Sequence, residues 1–160
     1  MGKSGARPAS KFAEKNYKNV THSDLLPAVK NSAIIFSCLP NSNHVREIVD
    51  QLLQQKEILN GVQYWVDTTS GHPDESQKIA SDLLSQEVVF FDCAVSGGLA
   101  GAVAGSLTAM VGGDQKSFPQ VENIIAAFAK NIVHLGPIGS GHAVKAVSYT
   151  HLTLPTILLV

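Results

Sequence analysis

Cysteine is scarce in this 160-residue chain. It occurs at Cys38 and Cys93, with no C-x-x-C pair and no histidine at ligand spacing, which excludes a structural zinc site and a disulfide framework. Both thiols sit inside or at the end of apolar runs and read as reduced core residues. Charge is also sparse, at 16% of residues with a net charge of -1, so there is no dense Lys/Arg face to neutralise phosphates. That excludes nucleic acid as a partner. The first ten residues carry Lys3, Arg7 and Pro8 but no apolar centre, so they do not form a secretory leader. Residues 93–113 are uncharged, and Gly97, Gly101 and Gly105 make a ladder suited to helix pairing in a membrane. The glycines, with Ser96, Ser106 and Thr108, dilute its apolar content. Glycine pairs at both ends punctuate a strand over 107–111 instead of a span. No internal repeat is present.

What remains is a 44% hydrophobic chain in which short apolar runs alternate with amphipathic stretches, the pattern of a single α/β domain. A buried strand is expected over 33–39, then a helix over 44–59 with Val45, Ile48, Val49, Leu52 and Leu53 on one face. A strand over 62–67 precedes a helix over 73–85 that opens on Pro73 and acidic residues. The run Val88-Val89-Phe90-Phe91 begins a strand over 88–92 that closes in a tight turn. The strand over 107–111, a helix over 118–129 bearing Val121, Ile124, Ile125 and Phe128, and a strand over 132–135 continue the alternation.

Two glycine-rich stretches carry the chemistry. In Asp92-Cys93-Ala94-Val95-Ser96-Gly97-Gly98, backbone amides near Ser96, Gly97 and Gly98 offer a close grip on an anion. In Gly139-Ser140-Gly141-His142-Ala143-Val144-Lys145, the glycines open a helix, and Lys145 falls about one turn inside it, where its ammonium reaches a ligand above the helix start. An anion grip and one amine suit a small acid as substrate, with the amine moving a proton. His44 and His142 read as structural or peripheral.

These stretches, with Phe36-Ser37-Cys38-Leu39-Pro40, Val66-Asp67-Thr68-Thr69-Ser70-Gly71-His72-Pro73, and the segment from Gly101-Ala102 through Gly105-Ser106-Leu107-Thr108-Ala109-Met110-Val111-Gly112-Gly113, resemble the β-hydroxyacid dehydrogenases, the group of 3-hydroxyisobutyrate and 6-phosphogluconate dehydrogenases. The likeness runs from about residue 12 to 145. Its motifs are specific in combination, whereas a single glycine cluster would be weak. The resemblance implies an α/β, partial Rossmann-like dinucleotide-binding domain with a mostly parallel sheet, lacking the first βαβ unit and the all-α C-terminal domain. It implies NAD or NADP as cofactor, a small hydroxy acid as substrate, a homo-oligomeric full-length protein, no nucleic-acid or membrane partner and no metal. A cytoplasmic or mitochondrial location would follow.

Residue by residue, the resemblance makes Lys145 the general base in oxidation and the general acid in reduction. Ser96, Gly97 and Gly98 would hold the substrate carboxylate, and Leu39, Pro40 and Ser70 would contact the cofactor. Leu39-Pro40 and Ser70-Gly71 also read simply as a strand end and as the turn before the helix at Pro73. A free lysine is protonated far above neutrality, so the site must lower its pKa by desolvation or a neighbouring cation.

Several departures bear on this reading. The strand, GxGxxG turn and helix that open a dinucleotide fold do not precede Ala33. Residues 5–14 look like the end of a second βα unit, so the chain is expected to begin late. Past Lys145 the family carries an asparagine one turn on, where this chain has Tyr149. The text Val147-Ser148-Tyr149-Thr150-His151-Leu152-Thr153-Leu154-Pro155-Thr156 equals, residue for residue, a translation of a transposon-derived sequencing adapter. Thr150, Thr153 and Pro155 are poor helix choices. Residues 1–146 are therefore read as the C-terminal portion of an NAD(P)-binding domain and 147–160 as a non-native tail, the polypeptide itself being inactive. The alternative is a non-catalytic binding module on the same fold, against which Lys145 argues, since fold alone cannot separate the two.

Overall fold

The computed structural model describes residues 23–55 and 57–152, with side chains through Val147. The readings of residues 1–14 and of 153–160 lie outside the described residues. The elements are α1 (Leu25–Lys30), β1 (Ile34–Ser37), α2 (Ser42–Leu53), β2 (Tyr64–Asp67), α3 (Pro73–Leu84), β3 (Val89–Ser96), α4 (Gly98–Ala104), β4 (Leu107–Gly112), α5 (Phe118–Ile125), β5 (Ala129–Gly136) and α6 (Ser140–Leu152).

The five strands lie in sequential order, β1-β2-β3-β4-β5, and every neighbouring pair is parallel except β3–β4. The exception has a simple cause. A parallel return takes a crossover of about a dozen residues or more, and the connection from Ser96 to Leu107 is shorter. The sheet is α/β and mostly parallel, as the alternation implies.

Both faces of the sheet are covered. Side-chain alternation sends Trp65, Val88 and Phe90 to one face, where they pack with Val45, Val49 and Leu52 of α2 and Ile79 and Leu83 of α3. Val66, Phe91 and Cys93 point the other way and pack with Val111 of β4 and Val121 and Ile125 of α5. Burying one such side chain contributes about 1.5–3 kcal/mol, and most of these are wholly inaccessible.

The helix starts follow local chemistry. The Asn41 Oδ1 accepts hydrogen bonds from the amides of Asn43 and His44 at 3.0 and 3.3 Å, so α2 begins before its first apolar residue. Pro73 occupies the first turn of α3, with Asp74 and Glu75 beside it. The apolar face expected on α2 is present, but the helix stops at Leu53 rather than 59.

Three local readings are corrected. The strand expected over 88–92 runs on to Ser96, because Cys93 to Ser96 pair with Val111 to Thr108 of β4. The turn therefore comes at Gly97 and Gly98, whose φ angles of 136° and 59° are unfavourable for other residues. The short helix α4 was not anticipated: it is glycine- and alanine-rich and has no buried residue. Cys38 is exposed rather than core, because β1 ends at Ser37 and the chain turns outward there; Cys93 is buried. No described helix is long and apolar enough to cross a membrane. The backbone of α6 stays helical through Leu152, past the expected boundary at 146–147.

Candidate active site at the strand ends

Ser37, Asp67 and Asp92 form one row of Cα partners across the ends of β1 and β2 and the middle of β3. All three are buried, and each has a hydrogen-bonding task. Ser37 Oγ donates to Asp67 Oδ1 at 2.8 Å and accepts from Trp65 Nε1 at 2.8 Å. Asp67 Oδ1 also accepts the amide of Thr69 at 3.1 Å, and the Leu39 amide donates to Thr69 Oγ1 at 3.0 Å. The loops carrying Leu39-Pro40 and Ser70 are thereby tied to each other at the C-terminal edge of the parallel strands.

Asp92 secures the second glycine-rich stretch. Its Oδ1 accepts from the Gly139 amide at 2.6 Å and its Oδ2 from the His142 amide at 2.8 Å. These are amides that a helix start leaves without partners. The α6 start, which the sequence suggested as a place for a ligand, is thus filled by a carboxylate of the same chain. Gly141 lets the helix lie this close, since a Cβ there would collide with the carbonyl oxygens of Met110 and Asp92.

From this anchor α6 carries Lys145 to the loop after β2. Lys145 Nζ donates to Ser70 Oγ at 2.8 Å. The amine is partly buried, and that burial lowers its pKa from the ordinary value of 10.5; a smaller effect from nearby Cys38 raises it. Desolvation thus supplies the direction that proton transfer near neutrality requires.

A cavity of about 130 Å³ is lined by Ser70, Gly71, His142, Lys145 and Ala146. Beside it, an open groove of about 610 Å³ lies between the starts of α2 and α3 and is lined by Asn41, Ser42, Asn43, Ser70, Gly71, His72 and Glu75. The two share Ser70 and Gly71. Together they follow the carboxyl ends of the strands, where open α/β sheets take their ligands.

The residues singled out from sequence fall into two groups. Lys145 and Ser70 are brought into contact, and Leu39 is linked to the Ser70 loop through Thr69. Pro40 is exposed on the same side of the sheet. Ser96, Gly97 and Gly98 lie at the exposed end of β3, four residues and roughly 13 Å along the strand from Asp92. No group of three or more His, Cys, Asp or Glu among the described residues could hold a metal. The sequence reading missed Asp67, Thr69 and Asp92. The polar residue closing β2, and the one following the apolar run at 88–91, were the available signals.

A mostly parallel sheet with helices on both faces and openings at its strand ends defines a Rossmann-like dinucleotide-binding α/β protein. The chain belongs to the family of the NAD binding domain of 6-phosphogluconate dehydrogenase, which matches residues 5–136. It is 36% identical over 124 residues to an uncharacterized oxidoreductase of Shewanella frigidimarina (strain NCIMB 400), covering 76% of this chain and 42% of that protein. It is 35% identical over 121 residues to an NAD-dependent L-serine dehydrogenase of Pseudomonas aeruginosa, covering 74% and 40%. Among solved structures, the Mycobacterium tuberculosis 3-hydroxyisobutyrate dehydrogenase with L-serine superposes with a TM-score of 0.74 at 25% identity, covering 79% of this chain and 42% of that one. The chain thus spans about two-fifths of the length of these relatives.

Proposed function

We propose that this chain is part of an NAD(P)-dependent dehydrogenase acting on a small 3-hydroxy acid such as 3-hydroxyisobutyrate. The observation that carries the reading is the Lys145–Ser70 contact: a partly buried amine with a lowered pKa, held at the strand-end groove of a dinucleotide-binding fold. The substrate class is supported by the names of relatives that include a 2-(hydroxymethyl)glutarate dehydrogenase and several 3-hydroxyisobutyrate dehydrogenases.

In this reading Lys145 takes the proton of the substrate hydroxyl during oxidation and returns it during reduction. The backbone amides at Ser96, Gly97 and Gly98 hold the substrate carboxylate, in an exposed turn whose two glycines have positive φ. Leu39, Pro40 and Ser70 hold the nicotinamide end of NAD or NADP, which supplies hydride acceptance and donation when bound. Those three residues fit that task, because they stand on mutually bonded loops beside an open groove. Residues 1–146 are the part that belongs to this domain and 147–160 a non-native extension, and the isolated chain does not turn over substrate.

The test is a gene extended on both sides of this coding region. Its product should oxidise 3-hydroxyisobutyrate with NAD or NADP, and Lys145→Ala should lower kcat by about 10²–10⁴-fold while leaving cofactor Kd nearly unchanged. Turnover that survives Lys145→Ala removes the proton-transfer role. Cofactor binding without any turnover would instead favour a non-catalytic module.

A further inference from the structure

His142 precedes Lys145 by three residues on α6, so the two side chains share a helix face. Its ring is 2% exposed, and Nδ1 lies 2.8 Å from Ser76 Oγ on α3. Ser76 Oγ also lies 3.2 Å from the His72 carbonyl oxygen, and the direction of the Ser76–Nδ1 hydrogen bond follows the ring tautomer. Nε2 is the one buried side-chain nitrogen or oxygen without a partner among the described residues. An apolar side chain would fill this volume without burying an unsatisfied nitrogen, so burial alone does not account for histidine here. The ring also rests on Gly71, where any Cβ would overlap its Cε1 and Nδ1. Gly71 adjoins Ser70, the partner of Lys145. Three elements therefore meet on one imidazole: α3 through Ser76, the 70–71 turn through Gly71, and α6 through its own backbone.

We propose that His142 is a positioning residue for Lys145: its ring, bonded to Ser76 and seated on Gly71, sets the separation of α6 and the 70–71 turn at which Lys145 Nζ meets Ser70 Oγ. Its consequence for turnover rests on the role given to Lys145 above, but the geometry is tested on the full chain as it stands. Titration of Lys145 is followed by NMR of isotopically labelled lysine, with Lys145→Arg for assignment.

His142→Ala and Ser76→Ala should each shift the Lys145 titration upward, toward that of an ordinary lysine. The double variant should shift it little beyond either single one, because the two residues form one contact. His142→Asn, whose amide keeps a hydrogen-bonding group near the Nδ1 position for Ser76, should restore most of the wild-type value. An unchanged Lys145 titration in Ser76→Ala, or in a folded His142→Ala, overturns the proposal. So does failure of asparagine to rescue, which would reduce the ring to space filling. If His142→Ala does not fold, Ser76→Ala and His142→Asn still decide. A shift in titration accompanied by no turnover in the extended protein would count against the dehydrogenase reading alone.

Discussion

Asp67 and Asp92 are Cα partners across β2 and β3, and each buried carboxylate closes a different loop of the candidate site. Asp67 takes the Ser37 hydroxyl and the Thr69 amide, which fixes the loop leading to Ser70. Asp92 takes the amides of Gly139 and His142, which fixes the origin of α6. The Lys145–Ser70 contact is therefore made between two segments that neighbouring strands hold in register.

Replacing Asp92 by alanine should cost about 2–6 kcal/mol of stability, since each of two buried amides left without a partner costs about 1–3 kcal/mol. Asparagine, with one acceptor oxygen, should recover part of the loss. Urea unfolding of the three proteins measures this, and a midpoint unmoved by Asp92→Ala would mean that α6 is held in place by something else.

Two lysines should behave oppositely toward an amine-acylating reagent. Lys78 is held by Glu75 at 2.6 Å, which raises its pKa, whereas burial lowers that of Lys145. The neutral, reactive amine of Lys145 should therefore emerge at lower pH. By linkage, between the lowered native value and 10.5 the unfolded chain's Lys145 binds more protons, so the contribution of Lys145 to stability should rise with pH across that window. Competitive labelling read by mass spectrometry checks the order, and Lys78 labelling first would contradict it.

The two thiols should separate just as cleanly. Iodoacetamide should modify native Cys38, which is exposed, and leave Cys93 untouched until the protein unfolds. Burial, aided by Asp92 and Asp67, pushes the Cys93 thiol up from 9.0 to about 12. The unfolded chain's thiol thus ionises first, and the contribution of Cys93 to stability should fall as pH rises from about 9 toward about 12. Chemical unfolding across that range measures the slope, which Cys93→Ala should reduce.

Much of this architecture was legible in short-range pattern. The face made by Val45, Val49 and Leu52, the proline start of α3 and the apolar run at 88–91 each carry their own period or punctuation, and each appears in the structure as an element. The failures came where long-range pairing decides. Asp92 looks like the end of a strand because it is polar; it lies mid-strand because the next four residues pair with β4, and Gly139 and His142, 47 and 50 residues away, satisfy its buried carboxylate. Cys38 looks like core because its neighbours are apolar, although the chain has already left the sheet. Ser70 and Lys145 were singled out separately, and nothing local in the sequence says that they touch across 75 residues.

The continuation of β3 beyond Asp92 has one more effect. A single rigid strand bears both the fixing point of the helix that carries the amine and, at its far tip, the turn proposed to receive an acid group. In the proposed reading, the span between the anchor of the amine-bearing helix and the acid-binding turn is therefore a fixed length of strand backbone.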